Sequence, residues 1–325
     1  MPATPIRALL GALALATLAT TAHAAEWQAV DLGALGGRNS YASALSDGGA
    51  IAGCAESAGG EIHAFVYENG AMRDLGRGSD MPGNSCGLAV DGRGAVAGRA
   101  STGELVIWAR GGVTRLGING NVGGMNAAGV VVGARAIGDS TRAFIYKDGV
   151  VTDIGGAEVR SEASAINVRE QVVGTANGHA FVYEGGAMRD LGTLGGNNSA
   201  ARGINAQGEV VGQSSNEFGQ PTPFIHHGAM RALPGPAYSS AIAINGRGQV
   251  IGSGEGIHGY LLEGEAMTLL GEIPAVVAKG WRRLAPTAIN ERGWIVGTAE
   301  NRDGDLRAFL LMPAGIASKP RRIPQ

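Results

Sequence analysis

The chain of 325 residues contains 56 glycines, and only 17% of its residues are charged, where about 25% is typical of soluble domains. Apolar residues make up 44% and are spread along the whole length, which excludes an intrinsically disordered chain. A formal net charge of -2 argues against nucleic acid or an anionic membrane as the main partner, because both attract a basic face.

The first 24 residues have the pattern of a secretory signal peptide. A single basic residue, Arg7, precedes an apolar run over 8–19, and Ala22-His23-Ala24 is a small-x-small cleavage site. The run is too short for a permanent membrane anchor. A buried N-terminal helix is the alternative, but the segment lacks the polar face of such a helix. We predict a signal peptide over 1–24, cleavage near Ala24, and a secreted protein of the periplasm or the extracellular medium.

Seven copies of one pattern fill the rest of the chain. In five copies an Asn is followed seven residues later by a Gly, and in two copies Asp or Ser replaces the Asn. The glycines of successive copies lie 35 to 45 residues apart, a period typical of β-propellers and other repeat arrays. The copies are Ser46/Gly53, Asp91/Gly98, Asn126/Gly133, Asn167/Gly174, Asn205/Gly212, Asn245/Gly252 and Asn290/Gly297.

Each copy holds four short segments with the character of β-strands: a small-residue stretch such as SAARGIN, an apolar one such as EVVG, then HAFVY and AMRDLG. Gly and Asn residues flank these segments, and Val, Ile, Phe and Tyr, which favour strands, are frequent in the middle two. This pattern predicts a four-stranded antiparallel meander. The recurrent Asn is predicted to hold the turn between the first two strands through its side-chain amide. A ring of Asn ligands for a substrate is the alternative.

The two ends of the repeat region complement each other. The segment WQAVDLG (27–33) is a fourth strand without the three that should precede it, and the last copy (286–313) has three strands and no fourth. Pairing the N-terminal strand with the last copy would leave no unpaired edge strand between the two ends of the repeat region. The sequence therefore predicts an all-β, seven-bladed β-propeller of four-stranded antiparallel blades over 25–313, closed by the N-terminal strand completing the last blade, with a flexible tail over 314–325.

Strands sandwiched between neighbouring blades should be apolar on both faces, as HAFVY is. We therefore expect one large buried aromatic side chain in the third strand of most copies, each contributing roughly 1.5–3 kcal/mol. The candidates are Phe65, Phe144, Phe181, Phe224 and Phe309.

The motifs HAF (63–65 and 179–181), DLGTLGG (190–196) and GINAQGEVVG (203–212) resemble those of the HAF repeat family of extracellular bacterial proteins. The resemblance covers nearly all of the mature chain, although Glu104 and Arg142 stand where His63 does in the first copy. It implies an extracellular setting and no particular activity. The C-terminal AGIASKPRRIPQ lacks the apolar tail of a sorting anchor, so we expect a soluble protein.

The chain has two cysteines, Cys54 and Cys86. In an oxidising compartment such a pair is more often bridged than free. The predicted topology puts both at the same rim of neighbouring blades, so we predict a disulfide bond between them, with two buried thiols as the alternative.

Motifs for catalysis and metal binding are weak. GNSCG (83–87) matches the nucleophile-elbow pattern, but that pattern needs a strand-to-helix turn where none is expected. ENRDGDL (300–306) lacks the spacing of a calcium loop. The mature histidines lack zinc-ligand spacing; they are His63, His179, His226, His227 and His258. We predict no catalytic residue, no metal and no cofactor.

Loops on a rigid scaffold are the usual place for recognition, and here the variable loops are expected on one face. The longest carries Trp281, Arg282 and Arg283, an aromatic ring and two cations suited to a sugar, a peptide or an anionic group. The alternative is that Trp281 packs over the ring closure. Asp80, Glu217 and Asp303 are the acidic candidates on the same face.

Two functions fit these features. The favoured one is a monomeric binding or scaffold module that recognises an extracellular polysaccharide or protein through the loop face. The alternative is a propeller enzyme, a hydrolase or lyase acting on extracellular polysaccharide or peptide. An enzyme would need carboxylates that converge at one mouth of the ring, and the acidic loop residues are scattered among different blades.

Overall fold

The computed structural model describes residues 26–76, 83–156, 159–236 and 238–314, and for Ile257 and His258 the backbone only. The predicted signal peptide lies outside the described residues, as does all but the first residue of the predicted tail. No helix in the described ranges is long and apolar enough to cross a membrane.

The described chain is all-β, with one short α-helix, α1 (Pro274–Lys279), and one 3-10 turn (Leu270–Glu272). The strands are, in chain order, β1 (Trp27–Asp31), β2 (Gly36–Leu45), β3 (Ile51–Ser57), β4 (Ile62–Glu68), β5 (Ala71–Asp74), β6 (Cys86–Val90), β7 (Val96–Arg99), β8 (Glu104–Ala109), β9 (Gly112–Met125), β10 (Val131–Ile137), β11 (Ser140–Lys147), β12 (Val150–Asp153), β13 (Ser161–Ile166), β14 (Val172–Ala176), β15 (His179–Glu184), β16 (Ala187–Asp190), β17 (Gly195–Ile204), β18 (Val210–Asn216), β19 (Pro221–His227), β20 (Ala229–Ala232), β21 (Ser239–Ile244), β22 (Gln249–Gly254), β23 (Ile257–Glu263), β24 (Ala266–Leu269), β25 (Arg282–Ile289), β26 (Ile295–Glu300) and β27 (Leu306–Pro313).

Four sheets are antiparallel meanders in chain order, as the repeat predicts: β2 to β5, β13 to β16, β17 to β20, and β21 to β24. A fifth sheet has the order β1-β27-β26-β25, so the two ends of the described chain share one sheet. Its register joins Trp27 to Pro313 and Asp31 to Phe309. This is the pairing expected from the unmatched strands at the two ends of the sequence.

The second and third copies differ from the expected separate sheets, because they merge into one seven-stranded sheet, β6 to β12. The strand β9 is continuous: its first part pairs with β8 and its last part, from Gly120, pairs with β10. Elsewhere a loop separates the fourth strand of one copy from the first strand of the next. Here the strand continues without interruption through LGINGN (116–121), so no loop separates the two copies.

The sheets pack face to face through their first strands. The strands β2, β6, β9, β13, β17, β21 and β25 each contact the next in this order, and β25 contacts β2. The predicted aromatic core is confirmed, since the five phenylalanines named above are at most 1% exposed. Tyr260 takes the same position in β23 and is also fully buried.

The repeated glycine of the second strand lies directly across from this aromatic residue. Gly53 pairs with Phe65 and Gly252 pairs with Tyr260. A Cβ atom at Gly53 would lie 2.8 Å from the Phe65 ring, closer than packed atoms approach. The same Cβ would overlap the backbone carbonyl oxygen of Tyr41 in β2. An overlap with a first-strand carbonyl recurs at the corresponding glycines, so the repeat needs glycine here chiefly because the first strand lies too close for a side chain: Gly98, Gly133, Gly174, Gly212 and Gly297.

The predicted disulfide is confirmed: Cys54 in β3 is bonded to Cys86 at the start of β6, with their Cα atoms 4.8 Å apart. The bond joins two neighbouring sheets.

Candidate functional site

The antiparallel order gives the molecule two rims. The turn rim carries the turns that follow each first strand, at 46–50, 91–95, 126–130, 167–171, 205–209, 245–249 and 290–294. The loop rim, at the other ends of the strands, carries the connections between second and third strands and those that lead to the next first strand.

The recurrent Asn holds its turn as predicted. The Asn205 Oδ1 atom accepts hydrogen bonds from the backbone N–H groups of Gln207 (3.1 Å) and Glu209 (2.9 Å). Asn126, Asn167, Asn245 and Asn290 make the same two bonds. These Asn side chains are buried, so both N–H groups are satisfied away from water.

The same side chain also joins neighbouring sheets, which the sequence did not indicate. The Nδ2 atom of each Asn donates to the backbone carbonyl of the corresponding residue in the next sheet, and we call this series the Asn belt. The donor–acceptor pairs are Asn126 to Asn167 (3.2 Å), Asn167 to Asn205 (3.0 Å), Asn205 to Asn245 (3.2 Å), Asn245 to Asn290 (3.0 Å) and Asn290 to Ser46 (3.1 Å).

Ser46 and Asp91 interrupt the Asn belt. The Asp91 Oδ1 atom accepts the two turn hydrogen bonds, from the N–H groups of Arg93 (2.8 Å) and Ala95 (2.9 Å). A carboxylate has no N–H to donate to the next sheet. The Ser46 hydroxyl accepts from the Ala50 N–H at 3.0 Å. Both residues therefore keep the turn and give up the bond between sheets.

All seven first strands border a central cavity with two layers. The layer at the turn rim, with a volume of about 350 Å³, is bordered by the Asn belt and by the carboxylates of Asp47, Asp91 and Glu291. The inner layer has a volume of about 250 Å³. Between them runs an apolar ring with one residue from each first strand: Leu45, Val90, Met125, Ile166, Ile204, Ile244 and Ile289.

Each first strand has a β-bulge two residues before its apolar-ring residue. Such a bulge re-aims the side chain of the extra residue. We call the seven bulged residues, all of which line the inner layer, the bulge layer: Ser43, Leu88, Gly123, Ser164, Arg202, Ile242 and Thr287.

The structure places the predicted loop-face residues in different environments. Trp281 is only 7% exposed and packs against Phe309, with ring centroids 5.8 Å apart, in a core cluster that also holds Leu284. Its ring is thus part of the core, which corrects the prediction that it faces a ligand. The alternative interpretation, packing over the ring closure, agrees with this contact, because Phe309 pairs with Asp31 where β27 meets β1.

Arg282 and Arg283 are exposed at the start of β25, and Arg283 forms a 3.1 Å ion pair with Glu300. Glu217 and Asp303 are exposed on two other connections of the loop rim. No contact joins these groups into one cluster within the described residues. Asp80 lies outside the described residues.

Sequence reasoning missed the exposed aromatic residues of the loop rim. Phe218, at the tip of the connection after β18, is 78% exposed, and Tyr238, just before β21, is 50% exposed. Tyr238 and Arg283 also have positive φ angles, 57° and 48°, which are uncommon for bulky side chains outside turns. The sequence does contain an indication of Phe218: it is an aromatic residue inside a predicted loop, NEFGQ (216–220), where no strand would bury it.

Charged pairs link the third and fourth strands of several sheets at one repeated position. The His63 Nδ1 atom lies 2.9 Å from Asp74 Oδ2, and in the next copy the order of charges is reversed, with Glu104 paired to Arg115. The others are Arg142–Asp153, His179–Asp190 and Arg307–Asp31. The residues that depart from HAF thus keep the pairing of opposite charges.

Three of these pairs have shifted pKa values. Burial raises the pKa of Asp190, but hydrogen bonds from the Gly192 N–H and from His179 outweigh it, so the pKa lies below its usual value. Burial lowers the pKa of His63, but hydrogen bonds to Asp74 and to Glu61 outweigh it, so the pKa lies above its usual value. Hydrogen bonds from Arg135 oppose the effect of burial at Asp153, and together with Arg142 they hold the pKa of that carboxyl below its usual value. All three positions lie in outer strands, so these pairs brace the sheets.

The weak chemistry motifs do not form sites. Ser85 of GNSCG is 7% exposed, and its hydroxyl accepts from the Ala64 N–H at 3.0 Å. A strand, β6, follows it instead of a helix. Within the described residues, no three His, Cys, Asp or Glu side chains are grouped as a metal site.

No protein-family model matches the sequence, and no curated protein matches it. Solved structures do match. The β-propeller domain of the Trilobed protease from Pyrococcus furiosus, which has an open velcro topology, is 11% identical and aligns over 84% of this chain and 93% of its own, with a TM-score of 0.56. The WD40 β-propeller domain of Doa1 is 14% identical over 88% of this chain and 97% of its own, with a TM-score of 0.54.

At these identities the similarity shows the fold alone, and the chain has a β-propeller fold. The resemblance to the HAF repeat family stays a prediction.

Proposed function

We propose that this β-propeller has seven blades in a closed ring and acts as a secreted or periplasmic binding or scaffold module. In this proposal it is a monomer that engages an extracellular polysaccharide or protein through the loop rim.

Closure is supported by the contacts between the last and first sheets, which repeat those between internal sheets. Asn290 donates to the Ser46 carbonyl across this junction, as Asn205 does to Asn245 within the chain. The Ser40 hydroxyl accepts from the Ala308 N–H at 2.9 Å. Ser199 accepts in the same way from Ala180, at 2.8 Å. A closed ring explains why the junction between the last and first sheets has the same hydrogen bonds as the junctions between internal sheets.

Seven blades follow if the seven-stranded sheet counts as two. Its strand β9 supplies the fourth strand for β6 to β8 and the first strand for β10 to β12. The bulge layer and the apolar ring each contain one residue from each of seven first strands, including β9.

One observation supports binding through the loop rim. Phe218 and Tyr238, the two exposed aromatic side chains among the described residues, both lie there. Aromatic residues are enriched in binding interfaces because they bury a large area at a small entropic cost. The unusual backbone at Tyr238 and Arg283 adds support, since such conformations cluster at ligand clamps.

A location outside the cytoplasm is supported by the disulfide between Cys54 and Cys86, because such bonds persist in oxidising compartments. The signal-peptide pattern of residues 1–24 points the same way.

The proposal is tested by screening the purified protein on glycan and peptide arrays, with a hydrolysis assay on every ligand retained. We expect retention without turnover, and loss of retention in Phe218→Ser. Val150→Ser is the matched control, because Val150 is 61% exposed but lies near the turn rim. Retention that survives Phe218→Ser and Tyr238→Ser together contradicts a loop-rim site, and product release identifies an enzyme instead.

A further inference from the structure

The bulge layer of the central cavity contains one charged residue, Arg202. The other six members are uncharged, with Ser, Leu, Gly, Ile or Thr at the bulge. Six uncharged residues are enough to build this layer, so the blade does not require an arginine there.

Arg202 has no hydrogen bond and no ion pair with any other described residue. Three arginines of the outer strands, in contrast, have a carboxylate partner: Arg115 pairs with Glu104, Arg142 with Asp153, and Arg307 with Asp31. The Arg202 guanidinium has five N–H donors in a planar fork, the geometry that a carboxylate fits with two parallel hydrogen bonds. The side chain is exposed to the cavity, so its charge stays solvated until a ligand arrives.

The apolar ring lies two residues along the strands from Arg202, on the side of the turn rim. Ile204 of the same strand belongs to it, together with Ile166 and Ile244 of the two neighbouring sheets. An apolar body that extends from a carboxylate held at Arg202 would lie against this ring. The volume of the inner layer, about 250 Å³, is slightly below the range of about 300–1,000 Å³ usual for ligand pockets, so only a small molecule fits it.

We propose that Arg202 binds the carboxylate of a small organic acid whose apolar body packs against the apolar ring. The charge distribution fixes the orientation. Asp47, Asp91 and Glu291 border the outer layer at the turn rim, where they repel an anion. Among the described residues that line the two layers, Arg202 is the one cation, so the carboxylate is held there.

The experiment is isothermal titration of the purified protein at constant ionic strength with four probes: butyrate, hexanoate, hexanamide and inorganic phosphate. We expect hexanoate to bind more tightly than butyrate, because its longer body covers more of the ring, and more tightly than the uncharged hexanamide. Arg202→Gln should weaken hexanoate binding roughly tenfold or more, the loss expected for hydrogen bonds to a charged group.

Two further variants test whether the loss of binding is specific to Arg202 and to the cavity. Arg231→Gln removes an exposed arginine from the outermost strand of the same sheet, β20, and should leave the affinity for hexanoate unchanged. Ser164→Phe fills the bulge layer and should abolish binding while Arg202 is intact. Circular dichroism and thermal unfolding verify that each variant is folded.

The proposal is overturned if neither acid binds, or if Arg202→Gln binds hexanoate as tightly as Arg231→Gln does. It is also overturned if phosphate binds as tightly as hexanoate, because the apolar ring would then contribute nothing. Phe218→Ser should not change hexanoate binding, so this site and the proposed loop-rim function can fail independently.

Discussion

The two rims of this β-propeller are built from the same repeats but obey different rules. On the turn rim one side chain, the recurrent Asn, forms both the turn and the bond to the next sheet, at 3.0 to 3.2 Å in each of five junctions. On the loop rim the connections differ in length and sequence and carry the exposed Phe218 and Tyr238. The difference teaches that the repeat preserves the contacts that assemble the sheets and leaves the opposite rim free to vary.

The largest effect is expected from removing β1. A mature chain that begins at Ala34 keeps β2 to β5 intact but exposes the edge of β27, together with the side chains of Leu310 and Ala308. We expect aggregation or rapid proteolysis, because an uncovered edge strand pairs with other chains. Size-exclusion chromatography and limited proteolysis measure this. A chain that lacks only 315–325 is the control and should stay monomeric; equal behaviour of the two would contradict closure by β1.

A smaller loss is expected when the disulfide is removed. Cys54→Ser with Cys86→Ser opens a loop with a sequence separation of 32 residues. In the chain-entropy model this lowers the free energy of unfolding by about 3–4 kcal/mol. Chemical denaturation of the double variant measures the change, with the reduced wild-type protein as the matched comparison. A loss below about 1 kcal/mol would show that the unfolded chain is not much restricted by the bond.

Asn205→Ala tests the double role of the Asn belt. The substitution removes two turn hydrogen bonds from backbone N–H groups, the bond to the Asn245 carbonyl, and a 2.7 Å bond from Nδ2 to the Glu209 carboxylate. We expect a loss of about 2–3 kcal/mol in unfolding free energy, because buried backbone groups lose their partners. Gln207→Ala, in the same turn but exposed, is the control and should change stability by less than about 0.5 kcal/mol. Equal effects of the two would argue against the belt.

Asp91→Asn tests the same belt in the opposite direction. The new amide keeps an Oδ1 acceptor for the Arg93 and Ala95 N–H groups and gains an N–H to donate toward the Asn126 carbonyl. We expect the protein to become more stable by about 1 kcal/mol, the net value of one hydrogen bond. Thermal and urea unfolding measure it. Asn205→Asp is the reciprocal control and should be destabilising; a destabilising Asp91→Asn would show that the carboxylate has a role that the turn geometry does not explain.

The smallest effect is a pH dependence from the outer strands. The folded-state pKa of His63 is raised, so its contribution to stability is fully present below the unfolded-state pKa and is lost as the pH rises through the folded-state value. We expect His63→Gln to lower stability at pH 5 and to approach the wild type as the pH rises above the folded-state pKa. Denaturation curves over this range measure the difference. A difference that does not depend on pH would exclude His63 protonation as its cause.

Much of the fold, but little of the candidate site, followed from the sequence, because turns and strand pairing depend on short-range rules. The Asn turns, the Cys54–Cys86 bond and the buried phenylalanines were all readable from spacing and alternation. Trp281 was not, because a loop residue beside two arginines has the same local pattern whether it faces solvent or core. Its contact with Phe309 joins residues that are distant in sequence.

The sequence by itself determined the repeat, its four strands and the complementary ends, since these depend on the order of apolar, glycine and turn residues along the chain. Only the tertiary structure decided that the Asn amide reaches the next sheet, that β9 serves two sheets, and that a bulge turns Arg202 toward the central cavity. The physical reason is that these contacts join atoms of different repeats. Their distances are set by how the sheets pack, and no local pattern encodes them.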